Sequence, residues 1–282
     1  MHYHGRFDEG ALGPHPIFAG ESEWYTAATL IDRGTGSVHT GLSINQLAPG
    51  GSIHPHVHSF EEGFYLLSGE AVVTIAGSSY RLGPGDYGVV KVGTPHAWHT
   101  AGRAPVRWLQ MAAPQPKPPG AERDTFFLKD RHVVTEAPRL DLSDLKGNLL
   151  GHFDEGQIPP VGARTTAAAG LEGVFLKWMI DEDFGARHHR MLFIEYQPGV
   201  GIGLHDHTFE EAYFILDGEV EATLDGTTYH LTAGDVVWTG VGCVHAFRNV
   251  GRQPVRWLET FAPQPPKENV FRFMAEWDAR AR

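Results

Sequence analysis

The stretch PGGSIHPHVHSFEEGFYLLSGE, residues 49–70, decides the fold because the chain contains it twice. Residues 198–219 read PGVGIGLHDHTFEEAYFILDGE, at an offset of 149 positions. At the same offset, GRAPVRWLQMAAPQP at residues 102–116 is matched by GRQPVRWLETFAPQP at residues 251–265. A repeat of this length indicates two copies of one module, each of ordinary domain size.

The boundary between the copies is predicted near residue 145, after a Pro-rich and charged segment. We therefore expect two domains, residues 1–145 and residues 146–282. Within each copy, short β-rich runs such as Gly69–Gly77 and Gly218–Gly226 are bounded by glycine turns. Short strands with closely spaced turns predict an all-β barrel or sandwich in each domain.

Helix is expected in few places. Residues 167–180 are a weak helix candidate because Gly170 and Gly173 interrupt them. Residues 268–282 are a better one, since Phe273 and Trp277 lie four positions apart.

Composition excludes several classes of protein. The chain has 282 residues, with 23 Lys and Arg against 34 Asp and Glu, for a net charge of −11. Such an acidic balance argues against nucleic-acid binding and against attraction to an anionic membrane. No apolar run approaches the roughly 20 residues that span a bilayer. The start lacks the layout of a secretory signal, so a cytoplasmic location is expected.

Histidines are concentrated in the repeated stretch. Side chains two positions apart in a strand share a face, so His56, His58 and Glu62 should point the same way. A hairpin and a turn later, His96 can return beside them on a neighbouring strand. The second copy repeats the set as His205, His207, Glu211 and His245.

Three imidazoles and one carboxylate suit a divalent transition metal, and we expect one metal in each copy. Iron, manganese and nickel are the favoured metals, and zinc and cobalt remain alternatives. Four ligands leave two octahedral positions for a small-molecule substrate, water or dioxygen.

The spacing H-x-H-x3-E-x6-G, followed by Pro84-Gly85-Asp86 and a later Pro-His, resembles the cupin superfamily, and two copies resemble a bicupin. The resemblance covers most of the chain and implies two double-stranded β-helix (jelly-roll) barrels, each holding a metal on the residues above. The ligand set is similar to that of quercetinase-like dioxygenases. Oxalate decarboxylase-like bicupins carry an arginine three residues before the first ligand, where this chain has Ile53 and Ile202.

Aromatic residues share the face of the candidate ligands. Parity places Phe60 and Phe64 in the first barrel, and Phe209 and Tyr213 in the second, as a candidate substrate pocket. The alternative is that these rings fill the barrels.

Neighbouring polar residues are expected to have other roles. Glu61 and Glu210 have the opposite parity and are expected to be solvated. Cys243 is expected to be a buried, inert thiol.

Three functions remain open at this stage. The leading hypothesis is a dioxygenase acting on a small organic substrate, aromatic compounds included, with Glu62 or Glu211 as the base. The second is a redox-neutral isomerase, lyase or aminohydrolase using the metal as a Lewis acid. The third is a bicupin that binds a ligand without catalysis. A homodimer is expected because two-fold symmetry is the commonest form of assembly.

Overall fold

The computed structural model describes residues 1–118, 120–159, 173–264 and 272–274, and its regular structure is dominated by β-strands, as the sequence predicts. The strands of the first copy are His2–Arg6 (β1), Ser22–Ile31 (β2), Gly41–His58 (β3), Glu61–Ser68 (β4), Ala71–Ile75 (β5), Ser78–Leu82 (β6), Asp86–Val90 (β7), His96–Thr100 (β8), Val106–Ala113 (β9) and Thr125–Phe127 (β10). Those of the second copy are Leu149–His152 (β11), Val174–Ile180 (β12), Arg190–Tyr196 (β13), Gly201–Asp206 (β14), Glu210–Asp217 (β15), Glu219–Leu224 (β16), Thr227–Thr232 (β17), Asp235–Thr239 (β18), His245–Asn249 (β19), Val255–Ala262 (β20) and Arg272–Phe273 (β21). Short 3-10 helices cover Glu9–Ala11, Pro16–Phe18, Arg33–Thr35 and Glu155–Gln157.

Two barrels follow from the pairing of these strands. In the N-terminal barrel (β2–β10), the long strand β3 pairs with β9 over its first half and with β8 over its second half. In the C-terminal barrel (β12–β21), two separate strands replace the long one: β13 pairs with β20, and β14 pairs with β19. This register places His56 opposite His96 and His205 opposite His245, so each pair of distant histidines meets across two strands.

The side chains of β4 point alternately into two different hydrophobic cores. Phe64 and Leu66 face the interior of the N-terminal barrel, where they pack with Trp98. Tyr65 faces the other way, into a core shared by both barrels that includes Phe193 of the second copy. Fully burying one such side chain contributes about 1.5–3 kcal/mol. The outer faces of the two large sheets are therefore packed against each other rather than solvated.

The first strand of each copy belongs to the sheet of the other copy. Strand β1 pairs antiparallel with β18, and β11 pairs antiparallel with β7. Side chains reinforce both exchanges: Arg6 donates to Asp235 at 3.0 Å, and Nδ1 of His152 lies 2.7 Å from Asp86. The division at residue 145 stays a prediction from the repeat, and the structure adds that each half contributes a strand to the other.

Both helix candidates contain strand where the structure describes them. Residues Val174–Ile180 form β12, because pairing with β13 and burial of Val174 and Ile180 override a weak helical pattern. Residues 167–172 lie outside the described residues. Of the second candidate, Arg272–Phe273 pairs with β14, and most of its other residues lie outside the described ranges. Within those ranges, no helix has the length and apolar character that crossing a membrane requires.

Candidate metal centres

The N-terminal centre consists of the four side chains that the repeat predicts. His56, His58, Glu62 and His96 are all buried inside the barrel, with 2–4% of their surface exposed. Nε2 of His58 lies 3.1 Å from Oε2 of Glu62, and Nε2 of His96 lies 3.7 Å from the same oxygen. Each of the three histidines offers a ring nitrogen within 4.8 Å of those of the other two. The four side chains therefore converge on one point.

Hydrogen bonds at Nδ1 orient the rings. Nδ1 of His56 lies 2.7 Å from the His54 carbonyl oxygen, and Nδ1 of His96 lies 3.0 Å from that of Thr94. Nδ1 of His58 lies 3.0 Å from the hydroxyl of Thr125. A ring that donates through Nδ1 presents the lone pair of Nε2, the form in which histidine ligates metals.

Burial favours the same neutral form. It lowers the pKa of His56 well below its ordinary value, and the neighbouring His96 and His58 lower it further. Burial also lowers the pKa of His58. For Glu62, burial raises the pKa, but the adjacent imidazoles of His58 and His96 outweigh it and hold the pKa well below the ordinary value. These shifts favour neutral imidazoles at His56 and His58 and a carboxylate at Glu62, the states that bind a cation.

Unpartnered atoms show that a metal fits. At this centre, three buried atoms lack a partner with hydrogen-bond geometry among the described residues: Nε2 of His58, Nε2 of His96 and Oε1 of Glu62. Leaving a buried polar atom without a hydrogen bond costs about 1–3 kcal/mol. When several such atoms point to one place, a bound ligand is the usual explanation. A first-row divalent ion is the ligand that this donor set suits.

The C-terminal centre repeats the arrangement. His205, His207, Glu211 and His245 are 2–5% exposed. Nε2 of His207 lies 3.2 Å from Oε1 of Glu211, and Nε2 of His245 lies 3.2 Å from Oε2. Nδ1 of His205 and of His245 lie 2.7 and 2.9 Å from the carbonyls of Gly203 and Cys243. Burial, with the neighbouring His245, lowers the pKa of His205 to about 4.

Two positions inside the barrels differ between the copies in ways that reach the centre. Phe64 of β4 is replaced in β15 by Tyr213, whose hydroxyl donates to Oε2 of Glu211 at 2.6 Å and lies 3.2 Å from Nε2 of His245. On the neighbouring strand, Val90 is replaced by Thr239, whose hydroxyl also reaches Oε2 of Glu211, at 3.3 Å. The C-terminal carboxylate is held by hydroxyls, whereas Oε1 of Glu62 has no partner in the described structure.

Comparison with known proteins agrees with this geometry. The cupin domain family matches twice, over residues 44–111 and 192–261. The chain is a bicupin. Both candidate centres contain residues from these two matched segments.

Curated relatives match only parts of the bicupin. It is 33% identical over 95 residues, 33% of its length, to the HTH-type transcriptional regulator PuuR of Escherichia coli (strain K12). It is 32% identical over 75 residues, 26% of its length, to the polyketide synthase CurC of Streptomyces cyaneus. The chain spans about half the length of these relatives, 51% and 49% respectively.

Solved structures share the fold over most of the bicupin. A formate complex of oxalate decarboxylase from Lactobacillus farciminis has a TM-score of 0.70 at 18% identity, covering 99% of this chain and 90% of that one. Salicylate 1,2-dioxygenase from Pseudoaminobacter salicylatoxidans has a TM-score of 0.65 at 16% identity, covering 84% of this chain and 73% of that one. At such low identity the likeness shows the two-barrel fold alone.

A cavity of about 470 Å³ adjoins the N-terminal centre of the bicupin. The metal-ligand candidate His58 forms part of its wall, and Phe60 stacks on that imidazole with ring centroids 4.3 Å apart. Further wall residues include Phe18, Tyr25, Asn45 and Gln110. A cavity of this volume accommodates a small organic molecule.

The four aromatic residues predicted for the pocket lie in different surroundings. Phe60 lines the cavity. Phe64 is fully buried against Trp98 and is not one of the cavity-lining residues. Phe209 stacks on His207 at 4.6 Å, and the hydroxyl of Tyr213 contacts Glu211.

Residue size explains why the N-terminal barrel has room. The cavity wall includes Thr29, Gly41, Ser43 and Ala112, and the corresponding residues of the C-terminal barrel are Trp178, Arg190, Leu192 and Phe261. Trp178 packs edge-on against Phe261 with centroids 5.9 Å apart, and the guanidinium of Arg190 lies 5.5 Å from the Trp178 ring. Large side chains therefore occupy in the second barrel the positions that border the cavity in the first.

Sequence reasoning missed the residues before the first repeat that cover this cavity. Phe18 packs edge-on against His56 at 5.4 Å, and Tyr25 donates a 2.5 Å hydrogen bond to Oδ1 of Asn45. His15 also lines the cavity, and burial lowers its pKa. These residues precede the metal-ligand pattern, so no spacing rule connects them to it.

The expectation that Glu61 and Glu210 are solvated is wrong. They are 1% and 3% exposed, because the outer face of each sheet is covered by the other copy. Glu61 accepts hydrogen bonds from the backbone N–H groups of Arg187 (2.9 Å) and His188 (3.0 Å). Glu210 accepts them from the matching loop of the first copy, including the N–H groups of residues 38 and 39.

Cys243 is 1% exposed, as the sequence predicts. Burial, together with the nearby Asp225 carboxylate, raises the pKa of its thiol to about 12. A protonated, buried thiol is unreactive.

Proposed function

We propose that this bicupin is a metal-dependent dioxygenase whose reaction takes place at the N-terminal centre, on a small organic substrate held in the adjoining cavity. One observation carries the proposal: His58, whose Nε2 lies 3.1 Å from Oε2 of Glu62 within the ligand set, is also part of the cavity wall. A molecule in the cavity therefore lies beside the ligand set. A redox-active ion such as iron, manganese or nickel would supply the ability to pair an organic substrate with dioxygen.

The protein residues have distinct tasks in this proposal. His56, His58 and His96 hold the metal through nitrogens fixed by their Nδ1 contacts. Glu62 contributes a carboxylate, and its unpartnered Oε1 is available to accept a proton from a bound substrate.

The cavity wall has its own task. Phe18 and Phe60 pack against ligand imidazoles and exclude water from that side of the centre. Exclusion of water strengthens electrostatic interactions and protects reactive species from side reactions.

A redox-neutral reaction is the second candidate, and the unpartnered Oε1 of Glu62 favours it as well. A carboxylate beside a Lewis-acidic metal can abstract a proton next to a polarised carbonyl, which suits an isomerase or lyase. Oxalate decarboxylation is less well supported, because buried Ile53 stands where the family resemblance places the oxalate-binding arginine.

Ligand binding without turnover is the third candidate. Its support is the 33% identity to part of a transcriptional regulator. In that case the cavity should bind a small molecule that emerges chemically unchanged.

The experiment that separates these functions couples metal analysis to oxygen uptake. Purified protein is loaded with iron, manganese or nickel and assayed with phenols, flavonoids and diketones, with air and without it. Substrate-dependent oxygen uptake that Glu62→Gln abolishes supports the dioxygenase. Turnover that persists without oxygen supports the redox-neutral reaction, and an absence of turnover across the panel contradicts both. The matched control is Glu122→Gln, at an exposed surface carboxylate.

A further inference from the structure

The two centres differ in a phenol oxygen that contacts two ligands of the C-terminal centre. In the C-terminal barrel, the hydroxyl of Tyr213 lies 2.6 Å from Oε2 of Glu211 and 3.2 Å from Nε2 of His245. Phenylalanine occupies this position in the N-terminal barrel and carries no such atom. The hydroxyl is therefore in direct contact with two of the four predicted ligands of one centre and has no counterpart at the other.

The surroundings hold this hydroxyl in place. Tyr213 is 2% exposed, and its ring packs on Phe247 with centroids 4.6 Å apart. Thr239 donates a second hydrogen bond to the Glu211 oxygen that Tyr213 contacts. Because the ring and the carboxylate are both held in place, the phenol oxygen has one defined position. Metal ligands are held in this way by their surroundings.

The hydrogen bonds of His245 give a second reason. Nδ1 of His245 lies 2.9 Å from the Cys243 carbonyl, so its Nε2 points into the ligand cluster. This Nε2 lies 3.2 Å from the Tyr213 hydroxyl and 3.2 Å from Oε2 of Glu211. The phenol oxygen, the imidazole nitrogen and the carboxylate oxygen therefore face one another, as three donors to one cation would.

We propose that the Tyr213 hydroxyl is a fifth protein ligand of the C-terminal metal, and that the one octahedral position left is closed to external ligands by the large side chains packed in this barrel. This centre serves to stabilise the fold, as closed metal sites do. The N-terminal centre, with Phe64 in the matching place, keeps the open positions. This assignment is independent of which reaction the N-terminal centre performs.

The filled C-terminal barrel agrees with this assignment. Trp178, Arg190 and Phe261 pack together at the positions that border the cavity in the other barrel. Small side chains provide space for an external ligand at one centre, and large ones occupy the equivalent positions at the other.

Nitric oxide counts the open centres, because it binds ferrous ions that have a free position and gives a distinctive electron paramagnetic resonance signal. Full-length protein loaded with ferrous iron in both centres should bind about one nitric oxide per chain. Tyr213→Phe, which copies the N-terminal barrel, should raise this to about two. Two per chain in the wild type would overturn the proposal.

Ferric iron provides a readout that does not depend on a variant folding. When ferric iron binds, the Tyr213 hydroxyl would lose its proton to solvent and bind as a phenolate. A phenolate bound to ferric iron gives a visible charge-transfer band, so iron-loaded, oxidised wild-type protein should be coloured. The band should disappear in Tyr213→Phe and remain in the Tyr229→Phe control, whose hydroxyl lies beside His2, outside both centres. A colourless wild-type protein with both centres filled by ferric iron would also overturn the proposal.

Discussion

Removing the carboxylate of Glu61 should destabilise the whole protein, although Glu61 is not a predicted metal ligand. Its two oxygens accept hydrogen bonds from the N–H groups of Arg187 and His188, and Nδ1 of His189 lies 2.8 Å away. In Glu61→Ala these donors lose their buried acceptor, at about 1–3 kcal/mol for each group left unsatisfied. Partial relaxation makes the sum smaller, and we expect a loss of about 3–5 kcal/mol. For a chain of this size that corresponds to a fall in Tm of about 6–20 °C.

Calorimetry and urea unfolding measure this loss. The matched control is Glu122→Ala, which removes a carboxylate that is 93% exposed and should cost less than about 1 kcal/mol. If Glu61→Ala is no less stable than Glu122→Ala, the carboxylate does not fasten the two barrels together. The same result would refute the explanation of why this glutamate is buried.

Acid should have a related effect, and its sign follows from the pKa of Glu61. Burial raises this pKa, but the hydrogen bonds from His189, His188 and Arg187 outweigh burial and lower it below its ordinary value. A lowered carboxyl pKa stabilises the fold above the ordinary value of about 4.3, and that contribution is lost as the pH falls through the folded-state pKa. The stability difference between wild type and Glu61→Ala should therefore shrink below about pH 4. A difference that stays constant from pH 7 down to pH 3 would contradict this sign.

Three further predictions concern the cavity, the exchanged strands and the metals. Ala112→Phe introduces the residue found at the equivalent position of the other barrel, Phe261, and should fill the cavity. We expect kcat/KM to fall at least about tenfold while the metal content stays the same. Unchanged kinetics would mean that the substrate binds elsewhere. Fragments 1–145 and 146–282 should each fold poorly alone, because each lacks one strand of its sheet. When co-expressed, the two fragments should form a stable complex. Two well-folded monomeric fragments, as measured by size exclusion and circular dichroism, would refute this prediction. Removing the metals with a chelator should lower stability by about 3–4 kcal/mol per tightly occupied centre, measured as a fall in Tm that re-metallation reverses; an unchanged Tm would contradict it.

The candidate centres could be predicted from sequence because they depend on local rules. His56, His58 and Glu62 share a face through the two-residue period of a strand. His96 returns opposite His56 after a hairpin and a turn signal that the sequence shows, and the repeat supplies a second instance of the same pattern. The ligand set therefore followed from spacing and repetition, the all-β class from short strands and turns, and the jelly-roll barrels from the resemblance to cupins.

What sequence reasoning missed depends on contacts between distant parts of the chain. Glu61 looked solvated because its parity points out of its own barrel, and nothing local shows that the second copy covers that face. The exchange of β1 and β11 is of the same kind, since the repeated FDEG segments gave no sign of which sheet each joins. Part of the cavity wall is built by residues before the repeat, which have no metal-ligand pattern of their own.

The measurement that most directly tests the central claim is turnover by His56→Ala, with metal content and folding measured on the same sample. We predict that the variant stays folded, retains about one metal per chain in the C-terminal centre, and loses turnover. His230→Ala, which changes an exposed histidine outside both centres, should keep full turnover. A folded His56→Ala protein that lacks the N-terminal metal and still converts substrate at the wild-type rate would contradict the assignment of the reaction to the N-terminal centre.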